Sequence, residues 1–289
     1  MNLYLLSGGF AQGLLYALIA LSFSIVWQSA KAANFAIAGQ SVVVAFVAYE
    51  YTMRNGPGGY FGSLIVALVV GGVLGAITFR LIIRRLPPDN LLVLLLATIG
   101  LNFVLIGVIQ VPYARREPYL FSSPLETSMP RIGGLTSQHL LILVVTLAVL
   151  AALTLFLKRT LLGLEVRAVA EDIGKAQEIG IDVLKTRTVA WALGGSTAGL
   201  AAVLFAPLLF LDTTTTNNAL LVRALAAAIL GGLSSLPGAV VGGLVLGVFE
   251  AVVVPFFPQS SEAAVFALLT LAVIFRPEGL LGRTVVEKL

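Results

Sequence analysis

Apolar runs recur from one end of this chain to the other, at 3–27, 35–52, 61–83, 91–111, 140–157, 188–210, 219–231, 238–255 and 262–275. Most reach the roughly 20 residues a helix needs to cross a bilayer core. Such a pattern leaves one fold class, an all-α polytopic membrane protein. The chain reads as a single transmembrane domain over residues 1–289, with about eight or nine membrane-inserted helices. Only 11% of its residues are charged, against about 25% in a soluble domain.

The distribution of charge orients the chain. No basic residue precedes the first run, and the first one anywhere is Lys31. A cleaved signal peptide begins with positive charge, so the first run is a retained span with an exported N-terminus. Starting outside, the inner segments 28–34, 80–90, 158–187, 232–237 and 276–289 hold 13 of the 18 Lys and Arg. The outer segments hold four, Arg54, Arg115, Arg116 and Arg131, and Arg223 lies within a run. The bias puts the C-terminus in the cytoplasm. In such a chain the net charge of +4 is a topology signal, and no nucleic-acid partner is expected.

Two runs, 219–231 and 262–275, fall short of a perpendicular span; each is tilted, shielded from lipid or re-entrant. Gly9/Gly13, Gly71/Gly75, Gly195/Gly199, Gly238/Gly242 and Gly243/Gly247 are GxxxG pairs, which let helix backbones approach closely in lipid. VVGGVLGA at 69–76 and VVGGLVLG at 240–247 look alike and cross in opposite directions. Their likeness is read as two glycine-rich interfaces of similar composition, with an inverted repeat as the alternative. The outer segment Pro112–Gln138, with Pro118, Pro124, Pro130, Tyr113 and Tyr119, reads either as a rigid partner surface or as a connector.

Several chemistries are absent. There is no cysteine and one histidine, His139, so thiol nucleophiles and Cys/His metal cages are excluded. There is no GxxxxGK[ST] loop, so P-loop hydrolysis of nucleotide falls to another subunit. The chain reads as a non-enzyme without a cofactor or metal of its own. Polar residues at membrane depth are Gln12, Asn34, Gln40, Thr98, Asn102 and Gln110, with Arg223 and Glu250. The first five are candidates for a path for a small polar solute, with helix–helix hydrogen bonding as the competing role. Arg223 and Glu250 each lie about five residues inside an outer span end, roughly 7–8 Å deep, and form a candidate ion pair.

The longest polar stretch, Lys158–Arg187, holds 11 of the 32 charged residues. Within it Val166, Val169, Ile173 and Ala176 recur at helical spacing among Glu165, Arg167, Glu171, Asp172, Lys175 and Glu178. The spacing predicts a short amphipathic helix over Gly163–Gly180, ended by Gly180, with Asp182 capping the next. Its apolar stripe is expected to enter a partner's groove, with Ala168, Ala170 and Gly174 permitting close approach.

LGGLSSLPGAVVGGLVLGVFE at 230–250 and FRPEGLLG at 275–282 closely resemble the inner-membrane permeases of branched-chain amino acid ABC transporters, specifically the shorter of their two permease types. GLEVRAVAEDIGKAQEIGID at 163–182 is similar to that family's cytoplasmic segment, and GLLYALIALSFSIVW at 13–27 to its first span. The resemblance implies an ABC importer permease fold. It also implies a second, longer permease chain, two cytoplasmic ATPase subunits that hold ATP and Mg, and an extracytoplasmic substrate-binding protein. On this resemblance 158–187 is the coupling segment, whose ATPase contacts are Glu165, Val166, Arg167, Val169, Ala170, Glu171, Asp172, Ile173, Lys175 and Gly180. After Asn34-Phe35-Ala36 the sequence departs from the family with Ile37-Ala38-Gly39-Gln40, which leaves urea or short amides as alternative solutes. A secondary transporter would be a different class, with intramembrane carboxylates for ion coupling; Glu250 is the candidate at depth.

Overall fold

The computed structural model describes residues 3–30, 33–56, 58–87, 90–113, 119–121, 123–125, 136–208, 211–256 and 261–282. Lys31, Arg115, Arg116, Pro118, Pro130, Arg131, Arg283 and Lys288 lie outside them. Eleven α-helices follow in order: α1 Leu3–Ala30, α2 Ile37–Asn55, α3 Gly59–Leu81, α4 Leu91–Tyr113, α5 Ser137–Arg159, α6 Leu161–Glu171, α7 Ile173–Glu178, α8 Val183–Phe205, α9 Thr213–Gly231, α10 Leu236–Val253 and α11 Ser261–Phe275.

Each expected apolar run becomes a helix. Six of them, α1, α3, α4, α5, α8 and α10, are long and apolar enough to cross a membrane. The 19-residue α2 falls short on apolarity because it carries Gln40, Ser41, Glu50, Thr52 and Arg54. Helix α9 starts at Thr213, ahead of the apolar run at 219, because Thr213–Asn218 are helical although polar. With 15 residues, α11 extends about 22 Å at 1.5 Å per residue.

Helix α1 forms the axis of the molecule: 89% of its span is buried, against 28% for α4 and 22% for α5. Close packing comes from glycine. A Cβ built on Gly9 would meet Ala251 Cβ at 2.4 Å, and one on Gly247 would meet Gly13 N at 2.3 Å. So α1 and α10 run antiparallel with their GxxxG faces in register. The same device joins α3 to α8, where a Cβ on Gly71 would lie 2.3 Å from Gly195 O and one on Gly75 2.1 Å from Trp191 O. Hydrophobicity supplies little drive between helices in lipid, and dispersion contacts at these small-residue seams replace it.

The two seams belong to one pattern. α10 packs on α1 and α9 as α3 packs on α8 and α2; α9 meets α11 as α2 meets α4; and α1 meets α8 while α2 meets α9. Exchanging α1–α4 with α8–α11 therefore reproduces most of the packing, although α10–α11 and α4–α9 have no comparable counterpart. Since α3 runs parallel to α1, and α10 antiparallel to it, the relation is an inverted repeat. This corrects the reading of 69–76 and 240–247 as unrelated interfaces of similar composition, because local likeness alone carries no information about which helices each one meets.

The described part of the 112–138 segment is pinned. Tyr119 and Leu211 exchange backbone hydrogen bonds of 2.9 and 3.0 Å, and the Tyr119 ring sits 5.4–5.6 Å from Tyr49, Phe46 and Tyr113. Ser123 donates to Gln138 Oε1 at 2.9 Å, and Gln138 Nε2 donates to the Tyr60 hydroxyl at 2.6 Å. His139 completes a capping box with Thr136 at the start of α5, a structural role at a helix end.

Candidate functional site

The polar segment folds as two helices instead of one. Thr160 caps α6 by accepting from Gly163 N at 2.9 Å. At Asp172 the backbone turns extended, φ −156 and ψ 113, and the side chain accepts from Lys175 N at 3.0 Å to start α7. An aspartate mid-helix competes for backbone donors, so the expected Gly163–Gly180 helix breaks there. The Lys175 backbone N–H, and then its ammonium, hold the Asp172 carboxyl below the usual carboxylate range. Gly180 takes φ +84, and Asp182 caps α8 by accepting from Lys185 N at 2.9 Å.

The apolar stripe faces inward. Val166 is 0% exposed, and Val169 and Ala176 are 2% exposed; Ile173 and Ala170 are half-buried. α6 packs against α1, α5 and α8, and Glu165 is tied to α8 by the Thr186 hydroxyl at 3.2 Å. Val166 and Val169 are therefore core residues and cannot enter a partner's groove as the sequence suggested. Periodicity identifies a buried face without saying whether this chain or another buries it. Leu161 at 80%, Leu164 at 55% and Ile179 at 74% face outward, with Arg167, Glu171, Lys175 and Gly180 also exposed. Next to Arg167 opens a cavity of about 340 Å³, lined by Lys158, Gln28, Thr154 and Ser234 among others.

Four of the five candidate path residues are buried inside the chain. Asn102 Oδ1 accepts from Gly39 N at 2.7 Å, tying α4 to α2, and Gln40 Nε2 donates to Thr78 Oγ1 at 2.6 Å, tying α2 to α3. Asn34 Oδ1 accepts from Ala36 N at 3.1 Å, and Thr98 donates to the carbonyl of Leu95 within its own helix at 3.0 Å. Gln110 Nε2 reaches Thr213 Oγ1 at 3.3 Å. Gln12 alone of the five is exposed.

Arg223 and Glu250 come together. Arg223 Nε lies 2.9 Å from Glu250 Oε1; Glu250 Oε2 accepts from the Tyr16 hydroxyl at 2.6 Å, and Arg223 Cζ stands 6.0 Å from the Tyr16 ring centre. Tyr16 was missed by sequence reasoning, although the Gly9/Gly13 spacing places it close to the α10-facing side of α1. Arg223 is the eleventh residue of α9, deeper in its helix than the expected five, because the helix begins earlier than its apolar run.

The sequence pattern of a family described as the permease component of branched-chain amino acid transport systems matches residues 5–275. The high-affinity branched-chain amino acid permease BraD of Pseudomonas aeruginosa is 31% identical, over 98% of this chain and 96% of its own. LivH of Escherichia coli is 28% identical over 97% and 95%, and a probable LivH of Methanocaldococcus jannaschii 30% identical over 86% and 80%.

Proposed function

Since the chain belongs to the family of permease components of branched-chain amino acid transport systems, we propose that it forms, with a second and longer permease chain, the translocation path of an ATP-driven importer of branched-chain amino acids. Two ATPase subunits hold ATP and Mg at the cytoplasmic face, and a substrate-binding protein delivers the solute outside. The chain sits in the inner membrane with its N-terminus outside and C-terminus cytoplasmic, the orientation the 13-to-4 basic bias favours.

The observation that carries the mechanism is the seating of α6. It packs on α1, α5 and α8, and Gly163 lies so close to Phe156 and Leu157 that a Cβ would meet backbone atoms at 2.0–2.6 Å. A displacement of α6 by an ATPase thus passes directly to α1, the axis of the bundle, and through the α1–α10 seam to α10. The outward face, Leu161, Leu164 and Ile179 with Arg167, Glu171 and Lys175 at the rim, supplies the contact. Apolar anchors provide the affinity, and the rim charges provide register and salt sensitivity.

Co-expression with the second permease chain and the ATPase subunits, followed by reconstitution in proteoliposomes with the binding protein, tests the reading. Leucine uptake is expected to require ATP and the binding protein together. Uptake without ATP, or ATP-driven uptake of urea or a short amide but not of leucine, would overturn it.

A further inference from the structure

An ionisable side chain in the bilayer core is unfavourable unless paired, and marks function more often than packing. Arg223 lies mid-way along the 19 residues of α9 and Tyr16 half-way along the 28 of α1, while Glu250 is three residues short of the end of α10 at Val253, so the group lies inside the bundle between mid-helix and the outer end of α10.

The guanidinium commits Nε to Glu250 Oε1 at 2.9 Å and keeps 17% exposure, whereas Glu250 is 4% exposed. Glu250 thus fixes the arginine from behind, with its second oxygen held by the Tyr16 hydroxyl at 2.6 Å. The terminal nitrogens of the fork carry four further N–H donors. One helical turn along α1 from Tyr16, Gln12 is exposed, and one turn further a Cβ on Gly8 would meet nothing within 4 Å. The stretch of α1 one to two turns from Tyr16 is therefore uncovered, while Tyr16 itself is 4% exposed. Glu250 takes the Nε side of the guanidinium and the Tyr16 hydroxyl also interacts with it, which leaves part of the fork's donors for a ligand.

We propose that Arg223, positioned by Glu250 and Tyr16, binds the carboxylate of the amino acid in transit. A planar fork matches a carboxylate in a way an ammonium does not. Glu250 keeps the site neutral between turnovers, so that no bare charge stands in the membrane, and its hold on Nε pre-orients the fork. The proposal rests on the amino acid importer reading above.

The natural chain has no cysteine, so Gln12→Cys introduces one thiol beside the group. In the purified permease–ATPase complex in nanodiscs, with a cysteine-free partner set and no binding protein, saturating leucine should slow modification of that thiol several-fold. Leucinamide, which keeps the side chain and ammonium but lacks the carboxylate, should not. Arg223→Gln should raise the leucine concentration needed for protection by ~10- to 100-fold, and Arg223→Lys by less. Equal protection by leucine and leucinamide would overturn the proposal without any further substitution. So would undiminished protection in Arg223→Gln, or loss of the second permease from that variant on size-exclusion, which would make Arg223 an interface residue. If the complex with its binding protein takes up leucine but leucine never protects the thiol, this inference fails alone; if no leucine is taken up, the importer reading fails first.

Discussion

Gly247→Ala probes the seam on which the bundle's axis depends. A methyl at Gly247 would lie 2.3 Å from Gly13 N and 2.4 Å from both Gly13 Cα and Gly9 O, all of them backbone atoms that no rotamer change can move. Carbon contacts settle at about 3.5–4.0 Å, so α1 and α10 have to part by about 1 Å or more, and a gap of that size forfeits a quarter to a half of each neighbouring contact. Overpacking of this kind costs about 1–3 kcal/mol, roughly a 5- to 150-fold shift in the folding equilibrium. Gly8→Ala is the control on the same helix, since its Cβ meets nothing within 4 Å and alanine favours the helix. Thermal unfolding of detergent-solubilised fusions, followed by size-exclusion fluorescence, should show Gly247→Ala well below the parent and Gly8→Ala at or above it. If both variants melt with the parent, the helices are not in backbone contact and the seam is wrongly placed.

Arg223→Ala and Glu250→Ala should each cost about 3–5 kcal/mol by leaving a buried charge unpaired, and the double variant less than their sum; strictly additive losses in folded yield would show that the two do not act as a pair. Val166→Asp places a carboxylate at a position with 0% exposure and should lower folded yield sharply, while Leu164→Asp should leave yield unchanged and lower ATP-coupled uptake; the reverse order of yields would put the stripe back on the outside. For orientation, a membrane-impermeant thiol reagent should label Leu120→Cys in intact cells and spare Glu171→Cys; labelling of Glu171→Cys would invert the topology.

The nine apolar helices were legible because apolar runs of near-bilayer length admit little else, and the GxxxG pairs marked the seams before their partners were known. Where the sequence failed, the missing information was non-local. α9 began at Thr213 because a helix start with Thr213 and Thr216 buried, and Thr213 tied to Gln110 of α4, tolerates threonines that a hydropathy reading takes for loop. The apolar stripe at Val166 and Val169 was found, but its burial against α1, α5 and α8 could not be read from spacing. Asp172 gave a local signal, an N-cap residue inside a helical pattern, that was read as surface charge. Gln40 and Asn102 looked like path residues until their partners, Thr78 and the Gly39 amide, showed them fastening α2 to its neighbours. Arg223 and Glu250 could be matched from depth alone, although the helix end used for Arg223 was misplaced.

We propose that the outward face of α6 and α7, and not the apolar stripe, meets the ATPase. Single cysteines at Leu164, Ile179 and Val166, each crosslinked by a short homobifunctional reagent in the assembled importer to an ATPase carrying thiols around its docking groove, test it most directly. Crosslinks from 164 and 179 that stop transport, with none from 166, are the predicted result. Crosslinks from 166 alone, or from none of the three, would contradict the account.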